Sequence, residues 1–204
     1  MLQGVKNIIF DLGGVIYAID YHKTIDAFVQ LGIDDFEGLY AKAGQSALFD
    51  DLETGKISIP DFVDRIQELL SEKVTQEQVV TAWNSMLLDF MPDALACVKR
   101  LSQDYRLFLL SNTNEMHIAE IKHRAGEDAF ESFSQCFEKL YLSHDLGLRK
   151  PHAEVFTHIL NEQGLRAEET LFIDDSIQHI EGAQKVGLKV HHLRGDERIS
   201  QLFP

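Results

Sequence analysis

Residues 5–15 read VKNIIFDLGGV, an apolar run that ends at an aspartate followed by a leucine and two glycines. The apolar part, Val5–Phe10, has the length and composition of a buried strand. Further runs of this kind follow at Arg106–Leu110, Thr170–Ile173 and Leu188–Leu193, with a weaker one at Lys139–Leu142. Polar or glycine-bearing residues bound each run, so the sequence predicts five short strands.

Helical patterns separate these strands. An apolar stripe at helical spacing runs through residues 155–160 and stops at Gly164, and another runs through residues 177–183 and stops before Gly187. Strands that alternate with helices are typical of a parallel sheet covered by helices. The prediction is therefore an α/β fold, a doubly wound, Rossmann-like parallel sheet with helices on both faces.

The segment from Tyr17 to Phe90 breaks this alternation, because it shows helical patterns and no convincing strand. Ser58 is the expected N-cap of one amphipathic helix. Thr75 is the expected N-cap of another, and Gln78, three residues later, completes a capping-box pattern. About seventy residues of helix therefore interrupt the α/β chain after its first strand.

This interruption predicts two domains. We expect a helical cap domain at residues 17–90, inserted into a core domain that consists of residues 1–16 and 91–204. Within the insertion, Asp50–Lys56 is a polar, glycine-bearing stretch ahead of a helix. It is interpreted as a loop, which is either a solvated connector or a substrate-facing element.

The composition is globular with a strong acidic excess. The 204 residues include 19 Lys and Arg against 33 Asp and Glu, a formal net charge of −14 at pH 7. This charge argues against nucleic acid or an anionic membrane as the main partner, but it permits a small phosphorylated molecule at a locally positive or metal-bearing site.

Two cysteines, Cys97 and Cys136, are too few for a disulfide framework. No export or membrane segment is recognisable, so the cytoplasm is the expected location. A monomer or a weak homodimer is expected.

Polar residues follow the predicted strands at the edge where parallel sheets bind their ligands. These residues are Asp11, Ser111, Asn112, Lys150, Asp174 and Asp175. Each alone has an ordinary explanation, such as capping a helix or closing a turn. Together they bring three carboxylates, a hydroxyl and an ammonium group to one edge of one sheet. Carboxylates held together repel unless a cation lies between them, and ligation by oxygen alone favours Mg²⁺.

A metal beside Asp11 indicates phosphoryl chemistry. The carboxylate of Asp11 could attack a phosphoryl group whose charge the metal neutralises. Ser111 and Lys150 would hold the remaining phosphoryl oxygens, one by a hydrogen bond and the other by its charge.

The four motifs, in this order and in these strand contexts, resemble those of the haloacid dehalogenase-like hydrolase superfamily. The motifs are Phe10–Val15, Leu110–Asn114, Asp145–Pro151 and Asp174–Asp175. The resemblance spans essentially the whole chain, and it is greatest to sugar-1-phosphate phosphatases and to the phosphatase domain of soluble epoxide hydrolases. It implies a Mg²⁺-dependent phosphomonoesterase that acts on a small phosphorylated metabolite, such as a sugar phosphate or an anomeric one, through an aspartyl-phosphate intermediate.

By this resemblance, the matching positions fall into two groups. The catalytic and substrate-binding group is Asp11, Ser111, Asn112 and Lys150. The metal group is Asp11, Gly13, Asp174 and Asp175, with Gly13 contributing its backbone carbonyl. Asp11 matches the nucleophile, and Asp175 is favoured as the direct ligand of the acidic pair, because its equivalent takes that role in close relatives.

Two positions depart from the superfamily pattern. Gly13 stands where phosphatases usually carry a second aspartate, which acts as general acid and base, and the loss of a general acid costs about 10²–10⁴-fold in rate. Asp20 is the nearest carboxylate by sequence, and it is either a substitute acid or the cap of a helix that begins near His22. His179 stands where relatives usually have asparagine, which predicts a local change in hydrogen bonding.

Two other functions compete with the phosphatase reading. A 2-haloacid dehalogenase would use the same Asp11 nucleophile without a metal, and the acidic pair Asp174–Asp175 weighs against it. A catalytically weak or silent phosphometabolite-binding protein is the second alternative, because Gly13 cannot move a proton.

Overall fold

A computed structural model describes residues 3–33, 35, 36, 38, 47–70 and 73–203. Its strands are β1 (Asn7–Phe10), β2 (Tyr17–Ile19), β3 (Leu87–Phe90), β4 (Arg106–Ser111), β5 (Lys139–Leu142), β6 (Thr170–Asp174) and β7 (Lys189–His192). Five of them form one parallel sheet in the order β5-β4-β1-β6-β7, and β2 and β3 form a separate antiparallel pair. All five predicted strands are confirmed, with bounds within two residues of the prediction.

Helices connect the strands of the sheet and fill the segment between β2 and β3. They are α1 (Tyr21–Gln30), α2 (Ala47–Glu53), α3 (Ile59–Gln67), α4 (Gln76–Asn84), α5 (Pro92–Leu101), α6 (Glu115–Ala125), α7 (Glu127–Ser134), α8 (Ser143–Leu146), α9 (Ala153–Gln163), α10 (Ile177–Lys185) and α11 (Ile199–Leu202). Within the described residues, none of these helices has the length and apolar character needed to span a membrane.

The sheet is covered on both faces, as the doubly wound prediction requires. Side chains alternate along β1, so Ile8 and Phe10 belong to one core while Ile9 belongs to the other. The first core includes buried residues of α5 and α6, and the second includes buried residues of α9 and α10. Burial on both faces explains why the strands read as nearly continuous apolar runs.

The predicted helix caps in the inserted segment are confirmed. The side chain of Ser58 accepts a hydrogen bond from the backbone N–H of Asp61 at the start of α3. Thr75 and Gln78 form the expected capping box at the start of α4, with each side chain accepting from the backbone N–H of the other. These local bonds satisfy N–H groups that would otherwise lack partners in the first turn.

The expectation of a segment without strands was wrong, because β2 and β3 lie at its two ends. Tyr17 pairs with Phe90, and Ile19 pairs with Leu87. The two runs are only three and four residues long and lie about seventy residues apart, so no local pattern marks them as partners. Strand β2 leads the chain away from the parallel sheet, and β3 leads it back. The division into a cap domain at residues 17–90 and a core domain stays a prediction.

The interpretation of Asp50–Lys56 as a loop was also wrong in part. Helix α2 extends to Glu53, so the first four residues of the stretch are helical. The stretch is also less solvated than its polarity suggests, since Leu52 and Thr54 are buried.

Candidate active site

Asp11 and Lys150 form an ion pair at the carboxyl edge of the sheet. The Nζ atom of Lys150 lies 2.8 Å from Oδ1 of Asp11 and 2.7 Å from Oδ2 of Asp174. Phe10 pairs with Ile173 in the parallel register, so Asp11 and Asp174 reach the edge at the same level on adjacent strands. Lys150 approaches both from the loop before α9 and has no exposed surface. The structure thus brings together three of the residues predicted from separate motifs.

Burial and the shared lysine set the charges of these groups. Burial raises the pKa of Asp11 to about 8, with Lys150 opposing the rise and Asp174 adding to it. Burial alone would also raise the pKa of Asp174, but Lys150 and His179 lower it to about 2. Burial lowers the pKa of Lys150, yet the two carboxylates more than offset this and raise it. Lys150 and Asp174 therefore form a fixed ion pair, and Asp11 needs a further cation to be ionised at neutral pH.

Asn112 holds the backbone of Lys150 in place. Its Nδ2 donates to the carbonyl oxygen of Lys150 at 2.9 Å, and its Oδ1 accepts from the backbone N–H of Lys150 at 2.9 Å. Asn112 lines the same cavity as Asp11, but both ends of its side-chain amide are engaged with Lys150. Its contacts are those of a residue that positions the lysine.

Ser111 is the last residue of β4 and is buried beside the same cavity. The turn that follows is fixed from the neighbouring strand end by Ser143. The Oγ atom of Ser143 accepts from the backbone N–H of Thr113 at 2.9 Å and donates to the carbonyl oxygen of Thr113 at 3.0 Å. Ser111 therefore stands at the sheet edge, and Ser143 fixes the backbone two residues after it.

The glycine turn after Asp11 brings Asp175 close to the first motif. Gly14 adopts a φ of +71°, and a Cβ atom there would collide with Oδ2 of Asp175. Gly13 and Asp175 both line the cavity. Burial raises the pKa of Asp175, and the charge of Asp174 adds to this effect. The first and fourth motifs therefore pack so closely that any side chain at position 14 would have to displace the Asp175 carboxylate, and the positive φ favours glycine there as well.

His179 lies beside the predicted metal group. Its Nδ1 atom lies 2.9 Å and 3.0 Å from the two carboxylate oxygens of Asp174. A ring nitrogen of His179 and carboxylate oxygens of Asp11 and Asp174 all lie within 4.8 Å of one another, close enough to surround a single ion. The position that departs from the superfamily pattern is thus in contact with the acidic pair.

The site opens into a cavity of about 370 Å³. Asp11, Ser111 and Asp175 line it from the sheet edge, and Glu53 and Trp83 line it from the inserted helical segment. This volume is suited to a small metabolite. The sequence interpretation gave the stretch that contains Glu53 two alternatives, and the place of Glu53 in the cavity lining favours the substrate-facing one.

Arg149 connects the helical segment to the loop that carries Lys150. Its guanidinium forms an ion pair with Asp50 and also lies 2.9 Å from a carboxyl oxygen of Glu53. A second contact lies nearby, where a Cβ atom on Gly55 would collide with the carbonyl oxygen of His144 in α8. Glycine at position 55 is therefore the signal in the sequence that could have indicated this close approach.

Asp20, the substitute acid considered from the sequence, is a helix cap. Its carboxylate accepts a hydrogen bond from the backbone N–H of His22 at 3.0 Å, at the start of α1. Asp20 is not among the residues that line the cavity. The capping role explains its position, and the structure gives no support to the substitute-acid alternative.

Comparison with known proteins finds close relatives. The chain is similar to the D-ribitol-5-phosphate phosphatase of Bacteroides thetaiotaomicron, 32% identical over 185 residues that cover 91% of this chain and 90% of that protein. It is also similar to a sesquiterpene phosphatase from Aspergillus oryzae, 25% identical over 95% of this chain and 92% of that protein.

Solved structures and a family model agree with these relatives. A haloacid dehalogenase family enzyme from Bacteroides thetaiotaomicron, solved in complex with magnesium and inorganic phosphate, has a TM-score of 0.85 at 32% identity, covering 98% of this chain and 100% of that chain. The model of the haloacid dehalogenase-like hydrolases matches residues 5–187. The resemblance stated from the motifs is confirmed, and the chain belongs to the haloacid dehalogenase-like hydrolase family.

Proposed function

We propose that this protein is a Mg²⁺-dependent phosphomonoesterase that acts on a small phosphorylated metabolite through an aspartyl-phosphate on Asp11. The observation that carries the proposal is the buried contact of Asp11 and Asp174 with Lys150 at the base of a metabolite-sized cavity. A carboxylate with a lysine at 2.8 Å can act as a nucleophile towards a group whose negative charge the lysine partly neutralises.

The charge of the site explains why a divalent cation belongs there. With Asp11 ionised for attack, Asp11, Asp174 and Asp175 would set three carboxylates against the single ammonium group of Lys150, and such a site would repel a phosphate dianion. Oxygen donors of this kind suit Mg²⁺, and the residues that would hold it are Asp11, Asp174, Asp175 and the carbonyl of Gly13. When bound, Mg²⁺ supplies positive charge to the phosphoryl oxygens.

Four residues of the chain have distinct roles in the proposed reaction. Asp11 attacks phosphorus, and Lys150 neutralises charge on the transferring phosphoryl group while keeping Asp11 oriented. Ser111 offers a hydroxyl to a phosphoryl oxygen, and Asn112 keeps Lys150 in position through its two backbone hydrogen bonds. Water then attacks the phosphorylated Asp11 and releases inorganic phosphate.

The relatives narrow the substrate class. D-ribitol 5-phosphate, the substrate in the name of the relative at 32% identity, is the phosphate ester of a primary alcohol and has no anomeric carbon. We therefore favour a phosphorylated sugar or sugar alcohol, with a primary phosphate ahead of an anomeric one. Polar and apolar groups both line the cavity, Trp83 and Glu53 among them, as suits a polyol with hydroxyl and C–H surfaces.

Phosphate release tests this proposal. We expect the purified protein with Mg²⁺ to release phosphate from a panel of sugar phosphates, sugar alcohol phosphates and an aryl phosphate, and to lose this activity in EDTA. Activity that survives chelation, or halide release from 2-chloropropionate, would favour the dehalogenase alternative. Binding of inorganic phosphate without any turnover would favour the silent binding protein.

A further inference from the structure

A phosphatase with glycine at position 13 needs another proton donor, because the oxygen of a primary alcohol leaves poorly without a proton. Among the described residues, the carboxyl side chains that line the cavity are Asp11, Asp175 and Glu53. Asp11 is assigned to attack phosphorus, and Asp175 belongs to the acidic metal pair. Glu53 at the end of α2 is the carboxyl group that the proposed mechanism has not used.

The histidines of the cavity do not fill this role. His117 is buried against Trp83, with ring centroids 5.2 Å apart, and burial lowers the pKa of His117 to about 4. It therefore carries no extra proton near neutral pH. His179 is engaged with both carboxylate oxygens of Asp174.

The charges around Glu53 are compatible with a protonated, neutral side chain. Arg149 contacts Asp50 and Glu53 together, so one guanidinium faces two carboxyl groups. The side chain of Asp50 is 45% exposed and that of Glu53 is 13% exposed. The charge of Arg149 favours the ionised form of both carboxyl groups, but burial opposes this much more strongly at Glu53 than at the exposed Asp50, so of the two the proton belongs on Glu53.

Burial and the charge of Lys150 act on the protonation of Glu53 in opposite directions. Lys150 lies on the same loop as Arg149, and its charge opposes protonation of Glu53. Burial has the larger effect, and it raises the pKa of Glu53 to about 7. His144 lies on α8, whose backbone contacts Gly55 just after α2. A carboxyl group with a pKa of about 7 can both give and take a proton at neutral pH.

We propose that Glu53 is the general acid that protonates the leaving oxygen and the general base that then activates water, an inference that rests on the proposed phosphomonoesterase function. In the first step, a carboxylate oxygen of Asp11 forms a bond to phosphorus, the ester P–O bond breaks, and the proton of Glu53 passes to the departing alcohol oxygen. In the second step, Glu53 takes a proton from water as the water oxygen attacks phosphorus, and Asp11 leaves as a carboxylate. Both groups then regain their starting states, with alcohol and phosphate as products.

The test compares two leaving groups in Glu53→Gln, which keeps the shape of the side chain and removes the proton. For a primary alkyl phosphate such as a sugar alcohol 5-phosphate, we expect kcat/KM to fall by about 10²–10⁴-fold. For 4-nitrophenyl phosphate, whose leaving group needs no proton, kcat/KM should fall by less than about tenfold. Mixing the variant with this aryl phosphate should give a burst of nitrophenol equal to the enzyme, because the second step has lost its base.

Controls separate this role from folding and from substrate binding. Asp51→Asn removes a carboxylate from the same helix, one that faces Lys56 at 4.0 Å, and should leave both substrates unaffected. Glu53→Asp should restore part of the alkyl activity. If Glu53→Gln does not fold, the wild-type pH profile decides: kcat/KM for the alkyl phosphate should fall above about pH 7, and that for the aryl phosphate should not.

Three results would overturn the proposal. They are an equal loss on both substrates, no loss on either, and an alkyl pH profile that lacks the alkaline limb. Wild-type protein that hydrolyses no phosphate ester would instead refute the proposed function, so the two failures are distinguishable.

Discussion

Arg149 and Lys150 are consecutive residues whose side chains serve different regions of the molecule. Lys150 is fully buried between Asp11 and Asp174, two carboxylates that the ends of parallel strands hold in place. Arg149 pairs with Asp50 and Glu53, which belong to a helix of the inserted segment. The first set of positions follows from the register of one sheet. The second depends on how the segment packs against the loop.

The two regions also differ in the chemistry that their charges allow. Around Lys150, burial and tight contacts fix an ion pair with Asp174. Around Arg149, two carboxyl groups share one cation, and the more buried of the two takes up a proton near neutral pH. A rigid site that holds the phosphoryl group and an adjacent site that can exchange a proton are the two parts a phosphomonoesterase requires.

The largest expected effect is in the rigid region, which consists of Asp11, Lys150 and Asp174, at Asp11 as the proposed nucleophile. Asp11→Asn should lower kcat by about 10⁴- to 10⁶-fold, the range seen when a covalent nucleophile or its partner is removed. The amide has the same shape, so Lys150 keeps its other contact with Asp174 and the fold should persist. Phosphate release measures the loss, and a circular dichroism spectrum like that of wild type serves as the control. A variant that retains most of its turnover would contradict the covalent mechanism.

Most of the rigid region could be predicted from the sequence, because its signals are local. Asp11, Ser111 and Asp174 each stand at the end of an apolar run, and parallel pairing brings such ends together without further information. Lys150 was identified by its motif, and the loop geometry then places it between the carboxylates.

The helical region was less predictable for a physical reason. Glu53 reaches the cavity only because α2 packs against the loop at Arg149 and because Gly55 permits close contact with α8. These are tertiary contacts between residues about ninety positions apart, and no local period encodes them. The β2–β3 pair was missed for the same reason, since two short runs at the ends of a long segment give no sign that they are partners.

The second prediction compares the two cations by stability. Lys150→Ala leaves two buried carboxylates without their cation, and it should lower the free energy of unfolding at pH 7 by about 3–5 kcal/mol. Arg149→Ala should cost only about 1–2 kcal/mol, because Asp50 is exposed and Glu53 can take up a proton. Urea unfolding of both variants in EDTA measures the difference. Equal losses of stability would contradict the contrast between the fixed charges around Lys150 and the titratable carboxyl group beside Arg149.

The pH dependence of this loss provides a control. In Lys150→Ala, Asp11 and Asp174 have folded-state pKa values above their unfolded ones, so the folded state binds protons more tightly than the unfolded state. Stability of the variant should therefore fall as pH rises through the unfolded pKa, near 4, towards the folded values. The gap to wild type should be smaller at pH 5 than at pH 8, and a gap that widens on acidification would exclude this explanation.

The third prediction concerns metal binding at the rigid region. Mg²⁺ at about 100 times its Kd should stabilise the wild type by about 2.7 kcal/mol. For a chain of this size, this corresponds to a rise in Tm of roughly 5–10 °C. Asp175→Asn should abolish most of the rise if Asp175 is the direct ligand of the acidic pair. Asp51→Asn should keep it, and a full rise in Asp175→Asn would transfer the direct role to Asp174.

The smallest expected effect concerns the two carboxyl groups beside Arg149, those of Asp50 and Glu53. In Asp50→Asn, Arg149 has lost one of its two carboxylates, so its charge acts more strongly on Glu53 and stabilises the ionised form. The pKa of Glu53 should therefore fall, and the alkaline limb of kcat/KM for an alkyl phosphate should move to lower pH. Asp50 is 45% exposed, and exposed ion pairs are worth about 0.2–1 kcal/mol, so the shift should be about 0.2–0.7 pH unit.

Salt and a matched variant show whether this shift is electrostatic. The difference between Asp50→Asn and wild type should shrink in about 1 M salt, because exposed charges are screened within a few ångströms there. Asp51→Asn, which removes a charge one residue away whose ion pair is with Lys56, should leave the limb in place at low salt. A limb that moves to higher pH in Asp50→Asn would mean that Arg149 does not share its charge between the two carboxyl groups. The raised pKa of Glu53 could then not be explained by the competition of Asp50 for the charge of Arg149.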